Sequence, residues 1–303
     1  FDDAWWGPAD GAGDSHALGG RFKGTKVPTS FSRPVHNSYG RVTSTINNDP
    51  SEYVTRGHSF CGLEVSMPLP GCGEMVGCLN TSNLVELHQC AEDELHGNLH
   101  AVLGGSWDCG VSIFDERFPV TRAVELKVLV GIGWKAKEVW NKMWAAGHVK
   151  CPRFCNESAP FRACECSCPV LDQESLTLSE TQEILDDLDL QSYIRVMYRY
   201  ETEDGSWGVN GLTTRQQKQF MEWYLAFACH PGKMGAMSTG ASANDPIFWP
   251  LHPVFDRIWA FMRLAPRFQH FNWTWVDEHK CEGHDYHDAQ PFRNLWGEHD
   301  EHL

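Results

Sequence analysis

His96 and His100 stand four residues apart in a segment with helical periodicity. At this spacing both imidazoles leave the same face of an α-helix, one turn apart, and can bind one metal ion. Imidazole pairs suit copper and zinc. The residue after His96 is Gly97, so the glutamate base of the zinc-protease motif is absent and a hydrolase is disfavoured. Alternatively, both histidines lie on a solvated helix face, and only a third ligand favours a metal site.

His252 is the candidate third ligand, within a stretch that runs from Asn244 to Trp259. It stands at the start of a predicted helix. Asp256 and Arg257 follow within about one turn and are expected to orient this helix through charge-assisted hydrogen bonds. Phe248 is expected to form a wall of the site, although an aromatic side chain there is equally typical of a core.

The elements that must position these residues are helices. One is predicted from Asn83, an N-cap residue whose capping box is completed by Glu86, to the pair Gly104-Gly105. Further helices are predicted within 119–146, after the capping-box spacings Ser179-Gln182 and Thr214-Gln217, and after Pro253. Residues 1 to about 80 are rich in turn residues and are expected to form loops and short extended pieces.

The twelve cysteines indicate an oxidising compartment. Their clustering predicts a disulfide framework, and the alternative for Cys151, Cys155, Cys164, Cys166 and Cys168 is a zinc knot. Glycosylation sequons begin at Asn80, Asn156 and Asn272. The first residue is Phe1 rather than Met, as expected for a chain trimmed of upstream sequence. Together these features predict a secreted, extracellular or cell-surface glycoprotein.

Composition disfavours two classes of protein, those that bind nucleic acid and those that span a membrane. Among 303 residues there are 40 Asp and Glu but only 25 Lys and Arg, a net charge of −15, which disfavours binding to nucleic acid. No apolar run approaches the roughly 20 residues of a membrane span. The 42% hydrophobic share is enough for a sizeable core.

Three segments, taken in chain order, resemble the second copper-binding half of the type-3 copper family, which includes tyrosinase, catechol oxidase and hemocyanin. They are Leu95-His96-Gly97-Asn98-Leu99-His100 to Gly105, then Met237-Ser238-Thr239, then Asp245-Pro246-Ile247-Phe248-Trp249 to Trp259. Residues 1–22 and 281–292 resemble, more loosely, a linker and a tail seen in family members. The resemblance implies that His96, His100 and His252 bind the B copper. It also implies a mainly α fold, with a tyrosinase-like helical bundle core, long loops and few short strands.

The chain also departs from the family pattern. The A-copper half, with its Trp-His-Arg helix, is not found, and His16, His36 and His58 lie in loop-like sequence typical of surface histidines. The third histidine follows the Gly-Gly pair only after a long insertion. We therefore expect one composite domain: a loop-rich segment with the first B-site helix (1–105), a helical, Cys-rich insertion (106–232), and the second B-site segment with a C-terminal tail (233–303).

Type-3 chemistry needs two copper ions, at which dioxygen oxidises an ortho-diphenol to an ortho-quinone. Loss of two bundle helices would expose apolar faces, so a protein partner, an oligomer or the insertion must cover them. Three hypotheses follow: the B half of a secreted phenol or catechol oxidase completed by another chain, a non-catalytic extracellular structural or interaction glycoprotein with the family fold, or a mononuclear copper protein. Gly97 and Leu251 depart from the residues usual in the family, which disfavours monophenol hydroxylation.

Overall fold

The computed structural model describes residues 3–274 apart from short gaps, and residues 1–2 and 275–303 lie outside the described part. The gaps are 9–10, 12–14, 30–38, 45, 65–68, 153–154, 156–157, 173–175, 202 and 204–205. His36, Asn156 and the predicted C-terminal tail from 275 onward therefore fall outside the described residues.

The described part is mainly helical with a few very short strands, as expected for a mainly α fold. Its α-helices are α1 (Asp3–Trp6), α2 (Cys72–Cys78), α3 (Leu84–Gln89), α4 (Asn98–Gly104), α5 (Leu126–Trp134), α6 (Ala136–Ala145), α7 (Phe161–Cys164), α8 (Leu178–Asp187), α9 (Thr214–Cys229), α10 (Phe248–Leu251) and α11 (Pro253–Leu264). A π-helical segment, Cys90–Gly97, joins α3 to α4. None of the described helices is long and apolar enough to cross a membrane.

The strands form two small sheets. They are β1 (Ser59–Phe60), β2 (Leu63–Glu64), β3 (Ser106–Trp107), β4 (Arg199–Glu201), β5 (Trp207–Val209) and β6 (Lys233–Met234). The first sheet has the order β2-β1-β3-β6, with β1 and β3 parallel and the other two pairs antiparallel. The second is the antiparallel pair β4-β5. Because β3 directly follows α4 and β6 precedes Met237, the first sheet fixes both chain segments near His100.

The chain divides into two compact units. Unit 1 comprises Phe1–Leu69 and Leu99–His252, and unit 2 comprises Pro70–Asn98 and Pro253–Leu303. In unit 1, α9 is the central helix and buries Trp223, Tyr224 and Phe227 almost completely. The indole of Trp140 on α6 packs beside it and donates to the Phe227 carbonyl at 3.1 Å. Burial of such large aromatic side chains stabilises the unit by roughly 1.5–3 kcal/mol each.

Unit 2 is built from α2, α3, the π-helical segment and α11, together with the turn after α11. Its small core consists of Cys78, Leu87, Leu95, Met262, Phe268 and Phe271. A disulfide joins Cys78 to Cys90. The two chain segments of the unit also share backbone bonds, since Leu84 donates to the Asn272 carbonyl at 2.9 Å and Asn272 donates to Ser82 at 3.1 Å.

The predicted helix starts are close to the observed ones but differ in detail. Asn83 does cap α3, because its side chain accepts from the Glu86 amide at 3.0 Å. The Glu86 carboxylate instead accepts from the amide and hydroxyl of Ser82, one residue earlier than predicted. The capping boxes of α8 and α9 are Thr177-Glu180 and Thr213-Gln216. The predicted boxes were thus wrong by two residues and one residue, because several hydroxyl and carboxylate or amide pairs share this spacing there.

Five disulfides are present among the described cysteines, as the framework hypothesis predicted. They are Cys61–Cys109, Cys78–Cys90, Cys151–Cys166, Cys155–Cys164 and Cys168–Cys229. The five cysteines proposed for a zinc knot are all disulfide-bonded, so they have no thiolates with which to bind zinc.

Candidate metal centre

His100 and His252 form a close pair in unit 1. His100 lies in the middle of α4, and His252 lies between α10 and α11. Their Nε2 atoms are 3.3 Å apart although 152 residues separate them in sequence. Both rings are only partly exposed.

The other ring nitrogen of each histidine is held by a backbone carbonyl. His100 Nδ1 is 2.6 Å from the carbonyl oxygen of Met237, and His252 Nδ1 is 2.8 Å from that of Phe248. A carbonyl oxygen can only accept, so each Nδ1 carries the proton. In a neutral imidazole the Nε2 atom then presents a lone pair. Two lone pairs at this distance repel each other unless a cation or a proton lies between them.

The spacing of the pair fits a metal ion. Histidine nitrogens bind zinc at about 2.0–2.1 Å, and at a tetrahedral angle two such nitrogens are about 3.3 Å apart. The His100–His252 separation has this value. Carbonyl-bound Nδ1 atoms are also the usual outer contacts of metal-binding histidines, because they fix the tautomer and the ring orientation.

His96 lies one turn before His100 on the same continuous helical run, in the last turn of the π-helical segment. One ring nitrogen of each of His96, His100 and His252 lies within 4.8 Å of the others. His96 Nδ1 contacts the Glu92 carboxylate at 3.0 Å. The structure therefore groups three imidazoles that could hold a metal ion. Of the residues that the structure describes, no other set of three His, Cys, Asp or Glu side chains is so placed.

Close packing at Gly104 brings the Met237 carbonyl to His100. A Cβ at Gly104 would collide with the backbone and side chain of Ser238. The segment before Ser238 is held there, since Gly235 donates to the Gly104 carbonyl at 3.1 Å. Gly105 then turns the chain away from α4 with a φ of +60°, a conformation that favours glycine. The Gly-Gly pair is thus required both to end the helix and to position an acceptor for His100.

A buried ion pair anchors the segment that leads to His252. The Arg56 guanidinium donates to both carboxylate oxygens of Asp245 at 2.6 Å, and both side chains are fully buried. Asp245 Oδ1 also accepts from the Ile247 amide at 3.0 Å. The pair was not predicted from the sequence, although Asp245 and Pro246 belong to the segment that resembles the copper-binding motif.

The predicted neighbours of the site differ in their placement. The Phe248 ring stacks on His252 with centroids 3.6 Å apart and meets the His100 ring edge-on at 6.3 Å. Asp256 and Arg257 are exposed on α11. Their predicted role in orienting the helix stays a prediction, whereas the contact that supports His96 comes from Glu92, which lies one helical turn before it.

The remaining predicted residues lie elsewhere. His16 stacks on Trp107 with centroids 4.0 Å apart, and its Nδ1 is 3.0 Å from the Arg56 carbonyl. His58 is half-buried next to β1. Asn80 and Asn272 are exposed, so both sequons are accessible. Glycosylation itself stays a prediction.

Comparison with known proteins leaves the family open. No family model, no curated protein and no solved structure matches this chain.

Proposed function

We propose that His96, His100 and His252 bind one copper ion and that this chain is the B-copper half of a phenol or catechol oxidase. The facing Nε2 lone pairs of His100 and His252 carry the proposal, because their separation fits two ligands of one metal ion. Three neutral imidazoles suit copper among the common metals of oxidases. The tyrosinase-like motifs favour copper over zinc and imply the bundle core.

The chemistry would depend on a second copper. A copper pair, when bound, oxidises an ortho-diphenol to an ortho-quinone and passes two electrons to dioxygen. The residues of this chain hold three imidazoles in one tautomer through Glu92, Met237 and Phe248. The Phe248 ring, stacked on His252, offers an apolar wall against which a phenol ring can pack. The A-copper half is supplied by a partner chain or by another part of a longer protein.

The disulfides support a place of action outside the cytosol. Five are present among the described residues, and such frameworks persist in oxidising compartments. We propose a secreted or cell-surface glycoprotein, with glycans at the exposed Asn80 and Asn272.

Metal stoichiometry tests the copper site directly. Protein reconstituted with Cu(II), dialysed and analysed by elemental mass spectrometry should retain about one copper ion per chain. His100→Ala and His252→Ala should each lose most of it. His230→Ala is the matched control, because its Nδ1 contacts the carbonyl four residues earlier, as that of His252 does. Loss of copper from the control alone, or equal retention in all variants, would refute the site.

Oxidase activity needs a separate measurement. The copper-loaded chain alone should not consume dioxygen with catechol, since one copper ion is insufficient. A complex purified from the natural source should contain two copper ions and oxidise catechol. Absence of bound metal in natural, well-folded protein would instead favour a non-catalytic structural or interaction glycoprotein.

A further inference from the structure

Unit 2 has an apolar groove between two helical walls. One wall is formed by α3 and the start of the π-helical segment, and the other by α11. The lining residues are Leu84, Leu87, His88, Ala91, Phe255, Ile258 and Trp259, and the volume is about 350 Å³. This is within the range of ligand-binding pockets, and the lining is apolar apart from His88. Trp259, on the rim, is 44% exposed, so a large apolar surface is left open to an occupant.

The described chain ends beside this groove. The Trp273 ring meets Trp259 edge-on, with centroids 4.9 Å apart. Backbone bonds fix Asn272 to Ser82 and Leu84, at the start of the first wall. The last described residue, Thr274, therefore lies near the rim of the groove, and a segment that follows it needs no long connection to reach the groove.

The sequence of 275–303 suits the apolar groove and one of its two walls, α11. Phe292, Leu295 and Trp296 have the spacing of one apolar helical turn. The segment contains eight Asp and Glu but two Lys and Arg. By contrast, α11 and the turn after it contribute three arginines, Arg257, Arg263 and Arg267, against Asp256. Opposite charges favour contact between the segment and α11. The other wall carries Glu86 and Glu92, so it offers the segment only its apolar side chains.

The cysteines provide an independent observation. Ten of the twelve form the five disulfides, and Cys72, at the start of α2, is a free and exposed thiol. The twelfth is Cys281, in the segment that follows Thr274. Helix geometry and the backbone bonds of Ser82 place Cys72 within roughly 25 Å of Asn272. The chain from Asn272 to Cys281 spans up to about 30 Å when extended, so the two cysteines can meet.

We propose that residues 275–303 dock in the apolar groove of unit 2 and are held there by a Cys72–Cys281 disulfide. The two thiols lose two protons and two electrons, which a disulfide oxidant such as oxidised glutathione takes up as two thiols. The bond joins the two chain segments of unit 2, which the Cys78–Cys90 disulfide does not do. The docked segment lies next to Phe255, whose ring contacts His96. The proposal does not depend on copper.

Peptide mapping of the full chain tests the disulfide. Protein from an oxidising expression host, blocked with iodoacetamide and digested without reduction, should yield a peptide that links Cys72 to Cys281. Reduction should separate its two halves. Alkylated Cys72 or Cys281 in most molecules would overturn the covalent part of the proposal.

Dye binding tests the docking. Wild-type protein should bind little 8-anilinonaphthalene-1-sulfonate, whereas the double variant Leu295→Asp/Trp296→Asp should show a several-fold rise in dye fluorescence. Gln290→Asp, which adds a charge outside the apolar turn, is the control. Circular dichroism checks that each variant is folded. Equal dye binding by all three proteins would overturn the docking, because the segment would then not cover the groove. A dimer that light scattering still detects in the double variant would also overturn it, because a second chain would then occupy the groove.

Discussion

His100 and His252 face each other through Nε2 atoms 3.3 Å apart, with both Nδ1 atoms bound to backbone carbonyls. This arrangement fixes ring orientation without any charged residue. His96 differs, because its Nδ1 contacts the carboxylate of Glu92, which is 55% exposed at the side chain. Backbone carbonyls thus hold His100 and His252, whereas a side chain holds His96. Only the contact to His96 can be removed by substituting a side chain.

Glu92→Gln should weaken metal binding about tenfold. Changes of outer contacts at metal-binding histidines typically cost 10–100-fold in affinity, and the lower value is expected here because Glu92 is exposed. The dissociation constant for copper, measured by competition with a chelator, checks this. Glu183→Gln, an exposed carboxylate on α8, should bind copper as the wild type does. Equal affinity in both variants would show that Glu92 does not position His96.

The local part of the site could be predicted from sequence, because it depends on spacing along one helix. The four-residue interval between His96 and His100 is sufficient to place both rings on one face, even though part of the helix is π-helical. The same holds for Asn83 as a cap. These features need no knowledge of distant residues.

The long-range part could not be predicted in the same way. The Met237 carbonyl is a backbone atom, so no residue type marks it as the partner of His100. Arg56 lies in a segment that was expected to be loop, and nothing in its neighbours indicates burial against Asp245, 189 residues away. Disulfide pairing is likewise a property of the fold. For these long-range contacts the sequence contains both residues, but it does not indicate that they lie close together in the fold.

Removal of one partner of the buried ion pair should destabilise the protein strongly. Asp245→Asn leaves the Arg56 guanidinium buried without its counter-charge, a change that costs about 3–5 kcal/mol in free energy of unfolding. Urea unfolding followed by tryptophan fluorescence measures this loss. Asp256→Asn, on the exposed surface of α11, should change the free energy of unfolding by less than about 0.5 kcal/mol.

Metal binding adds a second measurement on the same two variants. Because Asp245 anchors the segment before His252, copper affinity should fall in Asp245→Asn even under conditions where the variant is folded. A larger loss of affinity in Asp256→Asn would show instead that the originally predicted residue orients His252, and that the buried pair acts only on stability.

Asp115 and Arg117 should give the protein a stability contribution that depends on pH. The guanidinium donates to both oxygens of Asp115, at 2.8 and 2.6 Å, and the Arg117 amide donates as well at 2.9 Å. Hydrogen bonding by the Arg117 side chain is the largest cause that lowers the pKa of Asp115 from 3.8 to about 2. A carboxyl whose pKa is lower in the folded state stabilises that state above its unfolded pKa, and this stabilisation is lost as pH falls through the folded value.

Asp115→Asn should therefore lower the free energy of unfolding by about 1 kcal/mol at pH 7, a value reduced for solvent screening because Arg117 is largely exposed. The difference from wild type should shrink below about pH 4 and be mostly lost by about pH 2. Thermal unfolding at pH 7, 4 and 2.5 measures it, with Glu116→Gln as an exposed neighbouring control. A difference that stays constant across this range would mean that Asp115 acts through packing or neutral hydrogen bonds, since only a charged carboxylate gives the predicted loss in acid.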